Sequence, residues 1–161
     1  YEGYAPHGVA IIVEVTTDNK NRAASEVRST FSKNGGNLGG AGSVAFMFQH
    51  NGQFIISKDT TDEESLMEAA LDAGAEDLKS EDEYFEVLAP LTEFDSVSQA
   101  LAQAHIVPDN AELAYLPESY TPISNQDDAR QVMRLIDALD DLDDVQNVFH
   151  NADIPVEFLE D

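Results

Sequence analysis

Hydrophobic positions along the chain switch between two periods. Val9 to Val15 is a short apolar run rich in β-branched residues, the pattern of a buried strand. Asp18 can then cap a helix over roughly residues 19–33, in which Ala24, Val27 and Phe31 recur at helical spacing. Arg22, Ser25, Ser29 and Lys33 fall on the opposite, solvent side. Gly35-Gly36 stops that helix, and a glycine-rich loop, Asn37-Leu38-Gly39-Gly40-Ala41-Gly42, follows. Val44, Phe46 and Phe48 alternate as in a strand, and Asn51-Gly52 reads as a two-residue hairpin turn into Phe54-Ile55-Ile56.

The middle of the chain repeats one pattern. Phe54 to Ser57 predicts a strand, and Thr61-x-x-Glu64 a capping box opening a helix with Leu66, Met67, Ala70 and Leu71 inside. Gly74 ends that helix before a short strand near Leu78. Tyr84 to Leu88 is the next strand. Thr92-x-x-Asp95 opens a helix with Phe94, Val97 and Leu101 inside, and Leu113 to Leu116 closes the set. βαβ twice is the ferredoxin-like order. After Pro122 come one more helix, roughly 125–141, with Val132, Leu135, Ile136 and Leu139 inward, and a last strand over Val145 to Phe149. A lone helix and strand do not make a domain. The expected class is therefore α+β: a ferredoxin-like βαββαβ domain, 53–121, inserted into a discontinuous βαββ…αβ domain formed by 1–52 and 122–161.

Composition sharpens this picture through where the charge sits. The 161 residues carry a net charge of −24. Residues 1–58 sum to +1, residues 59–121 to −16 with Lys79 their only base, and residues 122–161 to −9. An acidic surface repels phosphate backbones, so only the first third can face nucleic acid. Apolar residues, 42 % of the chain, suffice for a core, and no apolar run approaches a membrane span. Cysteine is absent, which removes disulfides and thiolate chemistry and fits a reducing compartment. The chain opens at Tyr1 without a methionine, as a fragment of something longer would.

The sequence holds no recognisable catalytic constellation. His7, His50, His105 and His150 lack metal-ligand spacing and read as surface or loop histidines. The run Asp140-Asp141-Leu142-Asp143-Asp144 lacks the glycine and closing glutamate of a calcium loop and reads as a solvated helix end. No serine sits in a nucleophile elbow. Neither a metal nor a cofactor is expected.

The glycine loop runs from helix to strand without Lys-Ser or Lys-Thr, so it is no phosphate-cradling P-loop. Gly36-Asn37-Leu38-Gly39 matches the GXXG of RNA-binding KH domains, but that motif joins two helices. One reading has the glycines permitting a tight connection; the other has a flat loop admitting a partner's backbone. Arg22 likewise either pairs with Glu26 one turn away or joins Lys20, Arg28 and Lys33 in a small basic patch beside the loop.

Thr17-Asp18-Asn19-Lys20-Asn21-Arg22, Glu26-Val27-Arg28, Asn34-Gly35-Gly36-Asn37-Leu38-Gly39 and Gly42-Ser43-Val44 together resemble the YebC family. The tail Asp144-Val145-Gln146-Asn147-Val148-Phe149-His150-Asn151 is similar to that family's ending, so the resemblance spans essentially the whole chain. Gly40-Ala41 departs from it, standing where many relatives carry an acidic or polar residue. The family is usually described as probable transcriptional regulators, and its mitochondrial relatives as translational activators. The resemblance implies three domains, of which a basic helical N-terminal one, supplying much of the positive charge, is missing here, and a bacterial cytoplasmic location.

Three functions stay open at this point. They are a DNA-binding regulator of transcription, a ribosome-associated translation factor docking on structured ribosomal or transfer RNA, and a small-molecule-sensing ferredoxin-like module. The expected working surface for nucleic acid is Lys20, Asn21, Arg22, Arg28 and Lys33 with Gly35, Gly36, Asn37 and Gly39.

Overall fold

The computed structural model describes residues 1–158. Its elements in chain order are β1 (Glu2–Tyr4), β2 (Ala10–Val15), α1 (Lys20–Lys33), β3 (Asn37–Leu38), β4 (Phe48–Ser57), α2 (Glu63–Asp72), β5 (Asp77–Ser80), β6 (Tyr84–Ala89), α3 (Phe94–Gln103), β7 (Asn110–Pro117), β8 (Thr121–Pro122), α4 (Gln126–Asp140), β9 (Val145–His150) and β10 (Ala152–Asp153). The class is α+β, and the chain divides into two compact units, Tyr1–Gln49 with Leu116–Asp161, and His50–Tyr115.

In the first unit the sheet runs β3-β1-β2-β9 with every neighbouring pair antiparallel. Val9, Ile11 and Val13 present one face of β2 to Val27 and Phe31 of α1 and to Val132, Leu135, Ile136 and Leu139 of α4, and all are buried. Asn19, not Asp18, caps α1, its side chain accepting from Arg22 N at 3.0 Å. Ala23, not Ala24, completes the buried stripe of α1. Asn125 caps α4, accepting from Asp128 N at 2.9 Å.

In the second unit the sheet order β5-β6-β4-β7 puts the unit's first strand between its third and fourth, the ferredoxin-like arrangement. Phe54, Ile56, Leu66, Phe85, Val87, Val97 and Leu101 form its core, with Phe54 and Phe94 stacked at 4.9 Å. Asp62 caps α2 through Ser65 N, one residue past the expected Thr61, and the helix buries Leu66 and Ala70. Met67 and Leu71 are 41 % and 42 % exposed. A single helical turn, Leu91–Glu93, precedes α3, which has no side-chain cap.

The hairpin expected at Asn51-Gly52 does not form: β4 runs straight through it, pairing Gly52 with Ala89. Neither residue takes the positive φ a type I′ turn needs. Gly52 is used instead for close packing, since a Cβ there would lie 2.5 Å from the Phe94 ring, and buried Asn51 donates to Glu76. The strand expected over 44–48 is mostly a single helical turn, Ala45–Met47, which leaves Phe46 72 % exposed.

Candidate functional site

All nine expected site residues lie in the first unit, on α1 and the loop that follows it. A helix turns about 100° per residue, so the bases of α1 do not share one face. Asn21 and Arg28 lie on one flank of the buried stripe Ala23-Val27-Phe31, Arg22 and Lys33 lie toward the other, and Lys20 stands in line with the stripe itself, exposed on the first turn.

Arg22 does not pair with Glu26. Its guanidinium donates to Asp18 at 2.9 Å and to Asp144 at 3.0 Å. Thr17 Oγ1 donates to the same Asp144 carboxylate at 2.9 Å. Hydrogen bonds from Arg22 and Thr17 hold the Asp144 carboxyl below its ordinary range, and those carboxylates raise Arg22 in turn. Asp144, at the end of the acidic run, therefore ties the approach to β9 to the start of α1 through Arg22, whose side chain is 45 % exposed.

The glycine loop splits into three parts. Gly36 is buried, and a Cβ there would lie 2.6 Å from Tyr4 O and 2.8 Å from Leu135 Cδ2, so this glycine lets α4, α1 and β1 close together. Asn37 pairs with Tyr4 as part of β3, its side chain exposed. Gly39 N donates to Glu2 O at 2.8 Å. The rest of the loop closes on one carboxylate: Glu2 accepts from Gly42 N at 2.7 Å, Val44 N at 3.0 Å and Ala45 N at 2.7 Å. Burial pushes the Glu2 carboxyl up, but the three N–H donors together outweigh it and hold it below its usual range. Successive backbone N–H groups around one anion form a nest. Here the protein supplies the anion itself, so these donors are not offered to a phosphate.

Gly35 is exposed and held at φ +79° at the end of α1. With Lys33, Asn34, Pro6, Gln131 and Arg134 it lines a cavity of about 280 Å³. Arg134, Gln131 and Pro6 were not expected here. Arg134 does lie on the outward side of the stripe Val132-Leu135-Ile136-Leu139, which is the one hint available from sequence. Pro6 opens the short turn Pro6–Gly8, in which His7 takes φ +70°, unusual for a residue with a side chain. Its ring Nε2 lies 2.8 Å from Gln131 Oε1 and 3.2 Å from Asp128 Oδ1, so α4 holds the strained turn in place.

The bases now sort cleanly. Arg22 is paired, Arg130 lies 4.0 Å from Asp127, Lys79 lies 3.9 Å from Glu86, and Lys58 sits over the Phe85 ring. Among the described residues, Lys20, Arg28, Lys33 and Arg134 make no ion pair. All four belong to the first unit, whereas the second holds sixteen acids against Lys58 and Lys79. Two larger cavities in the second unit, about 600 and 550 Å³, are lined by Asp62, Glu63, Glu64 and Glu68, and by Asp59, Asp82, Glu83 and Asp109 with Lys58. The described residues contain no cluster suited to a metal ion and no helix long and apolar enough to cross a membrane.

Comparison with known proteins gives one consistent answer. A family model described as the TACO1/YebC second and third domain matches residues 1–152. A protein of Syntrophobacter fumaroxidans named "Probable transcriptional regulatory protein" is 49 % identical over 160 residues, covering 99 % of this chain and 64 % of its own length. One of the same name from Opitutus terrae is 52 % identical over 154 residues, covering 96 % and 62 %. The chain thus spans under two thirds of the length of these relatives. The crystal structure of a conserved hypothetical protein from Aquifex aeolicus superposes with a TM-score of 0.86 at 40 % identity, over all of this chain and 66 % of that one. The family model alone matches residues 1–152 of the 161, and this chain belongs to the TACO1/YebC family.

Proposed function

We propose that the chain is a non-catalytic part of a regulator of gene expression, and that its first unit docks on structured RNA such as the ribosome presents. The observation that carries this reading is the segregation of charge: Lys20, Arg28, Lys33 and Arg134 are unpaired among the described residues and all lie in one unit of a −24 protein. Leaving four cations without carboxylate partners where acids outnumber bases four to one favours an external anion.

The surface suits RNA better than duplex DNA. Of the exposed row Asn21, Ser25, Arg28 and Ser32 on α1, only Asn21 and Arg28 can make the bidentate contacts that discriminate bases in a major groove. Folded RNA interleaved with basic proteins would leave the acidic second unit either a partner or open solvent. A second reading, a regulator of transcription acting on duplex DNA, is favoured by the name its relatives carry.

Filter binding of a folded ribosomal RNA fragment and of a duplex of equal length, across a salt series, tests this. The expected result is tighter RNA binding, with a log–log salt slope near −3 that falls by about 1 in the Arg28→Glu protein. Equal or tighter duplex binding would favour the transcription reading. Binding indifferent to both Arg28→Glu and Lys20→Glu would remove α1 from the interface.

A further inference from the structure

We infer that the cavity between the end of α1 and the middle of α4 is a binding site for a phosphate group. This deepens the RNA-docking reading by naming the subsite and the chemistry it takes. Lys33 and Arg134 come from segments a hundred residues apart, and both line one concavity without a carboxylate among its lining residues. The two cavities described in the second unit each carry four acids in their lining, so this one differs from both in the sign of its charge.

The neutral groups complete a donor-rich wall. Gln131 Oε1 is engaged by His7 Nε2 at 2.8 Å, which leaves its amide N–H₂ as the end available to a ligand. Asp128, one turn earlier on α4, does not line the cavity: its Oδ1 lies 3.2 Å from the His7 Nε2 that Gln131 shares, and its Oδ2 accepts from Asn125 Nδ2 at 3.1 Å. Gly35 presents bare backbone at the mouth, where a Cβ would meet nothing nearer than Pro6 Cγ at 3.4 Å.

One feature opposes an anion. The carbonyl end of α1 points here, with the partial negative charge of a helix C-terminus. Asn34 Nδ2 caps Thr30 O at 2.8 Å, and Asn34 N and Gly36 N both reach Phe31 O, so much of that charge is already compensated. Two full positive charges outweigh what remains. Arginine matches phosphate oxygens bidentately and lysine adds a point charge, which is the usual division of labour at phosphate sites. At about 280 Å³ the cavity holds a phosphate and part of its sugar, and lies below the size of common cofactor pockets.

The test is a ¹H–¹⁵N titration of the chain with inorganic phosphate, a nucleoside 5′-monophosphate, and a short RNA with and without a 5′-phosphate. Saturable shifts at Asn34, Gly35 and the Gln131 side-chain amide are expected. They should weaken at least tenfold in Lys33→Gln and Arg134→Gln and be unchanged in Lys79→Gln, a base of the second unit that lies outside the cavity. Tighter binding of the phosphorylated RNA than of its unphosphorylated form identifies a nucleic-acid phosphate as the ligand. Tighter binding of the mononucleotide identifies a free phosphorylated metabolite. Shifts that are absent, or that survive both cavity substitutions, overturn the site. If they are absent while RNA binding persists in Lys33→Gln and Arg134→Gln, only the cavity assignment falls. If phosphate binds but folded RNA does not, the cavity stands and the RNA-docking reading falls.

Discussion

Replacing Gly36 by alanine separates packing from recognition at the residue where sequence suggested an RNA-binding loop. The added Cβ would lie 2.6 Å from Tyr4 O, 2.8 Å from Leu135 Cδ2 and 3.1 Å from Phe31 Cδ1. Ordinary carbon–oxygen contacts begin at about 3.3 Å, so the overlap with the carbonyl is roughly 0.7 Å. Leu135 can shift, but Tyr4 is held by strand pairing with both Ala10 and Asn37. Overpacking against a fixed group costs about 3 kcal/mol, toward the upper end of its usual range. For a unit of this size that lowers the midpoint of thermal unfolding by on the order of 15 °C. Two neighbours calibrate the result. Gly35→Ala adds a side chain to a φ of +79° and costs about 1 kcal/mol. Gly39→Ala meets the movable Ser43 hydroxyl at 2.6 Å and should change stability by under about 1 kcal/mol. Urea denaturation followed through amide resonances of the first unit measures all three, since a two-unit chain need not unfold in one step. A Gly36→Ala protein within about 0.5 kcal/mol of the parent, yet unable to bind RNA, would refute the packing assignment.

Two further outcomes follow from the same geometry. Glu2→Gln removes the charge that gathers three N–H groups of the glycine loop, at a cost of about 1–2 kcal/mol. Amide exchange at Gly42, Val44 and Ala45 should accelerate by roughly tenfold while β2 exchanges as before, and unchanged protection would show that the loop holds its shape without the carboxylate. Asp144 is held below its ordinary range, first by its hydrogen bond from Arg22, so its stabilising share is complete above the unfolded value of about 3.9 and is lost as pH falls through the lower folded value. In Arg22→Gln that share shrinks, and the urea midpoint should drop less steeply below about pH 4 than in the parent; parallel profiles would contradict the assignment.

Much of the fold was legible because both cores follow simple periods. Val132, Leu135, Ile136 and Leu139 are all buried, as the pattern of α4 requires, and the βαββαβ order of the second unit follows from its strands and caps. The misses have local physical reasons. Ala23 and Ala24 straddle the stripe set by Val27 and Phe31 almost symmetrically, so periodicity cannot choose between two alanines. Asp18 and Asn19 are both good caps, and Asp18 is drawn off by Arg22. Asn51-Gly52 carries a strong hairpin signal, overridden by the fit of Gly52 against Phe94. At the candidate site, sequence found the bases of α1 but not how they divide. Arg22 is claimed by Asp144, Glu2 closes a loop forty residues away, and Arg134 joins Lys33 only because α1 and α4 lie side by side over β2. None of those partners is a sequence neighbour, so each had to wait for the tertiary contacts.

The central claim, that the first unit docks on structured RNA, is tested most directly by co-sedimentation with purified ribosomes at about 0.15 M salt, where exposed charge contacts are substantially screened, with duplex DNA as competitor. Pelleting that excess duplex leaves intact, and that is lost when Arg28 and Arg134 are both changed to glutamate, is the predicted result. Little pelleting, or release of the protein by duplex DNA, would contradict the account and return the family's name to its literal sense.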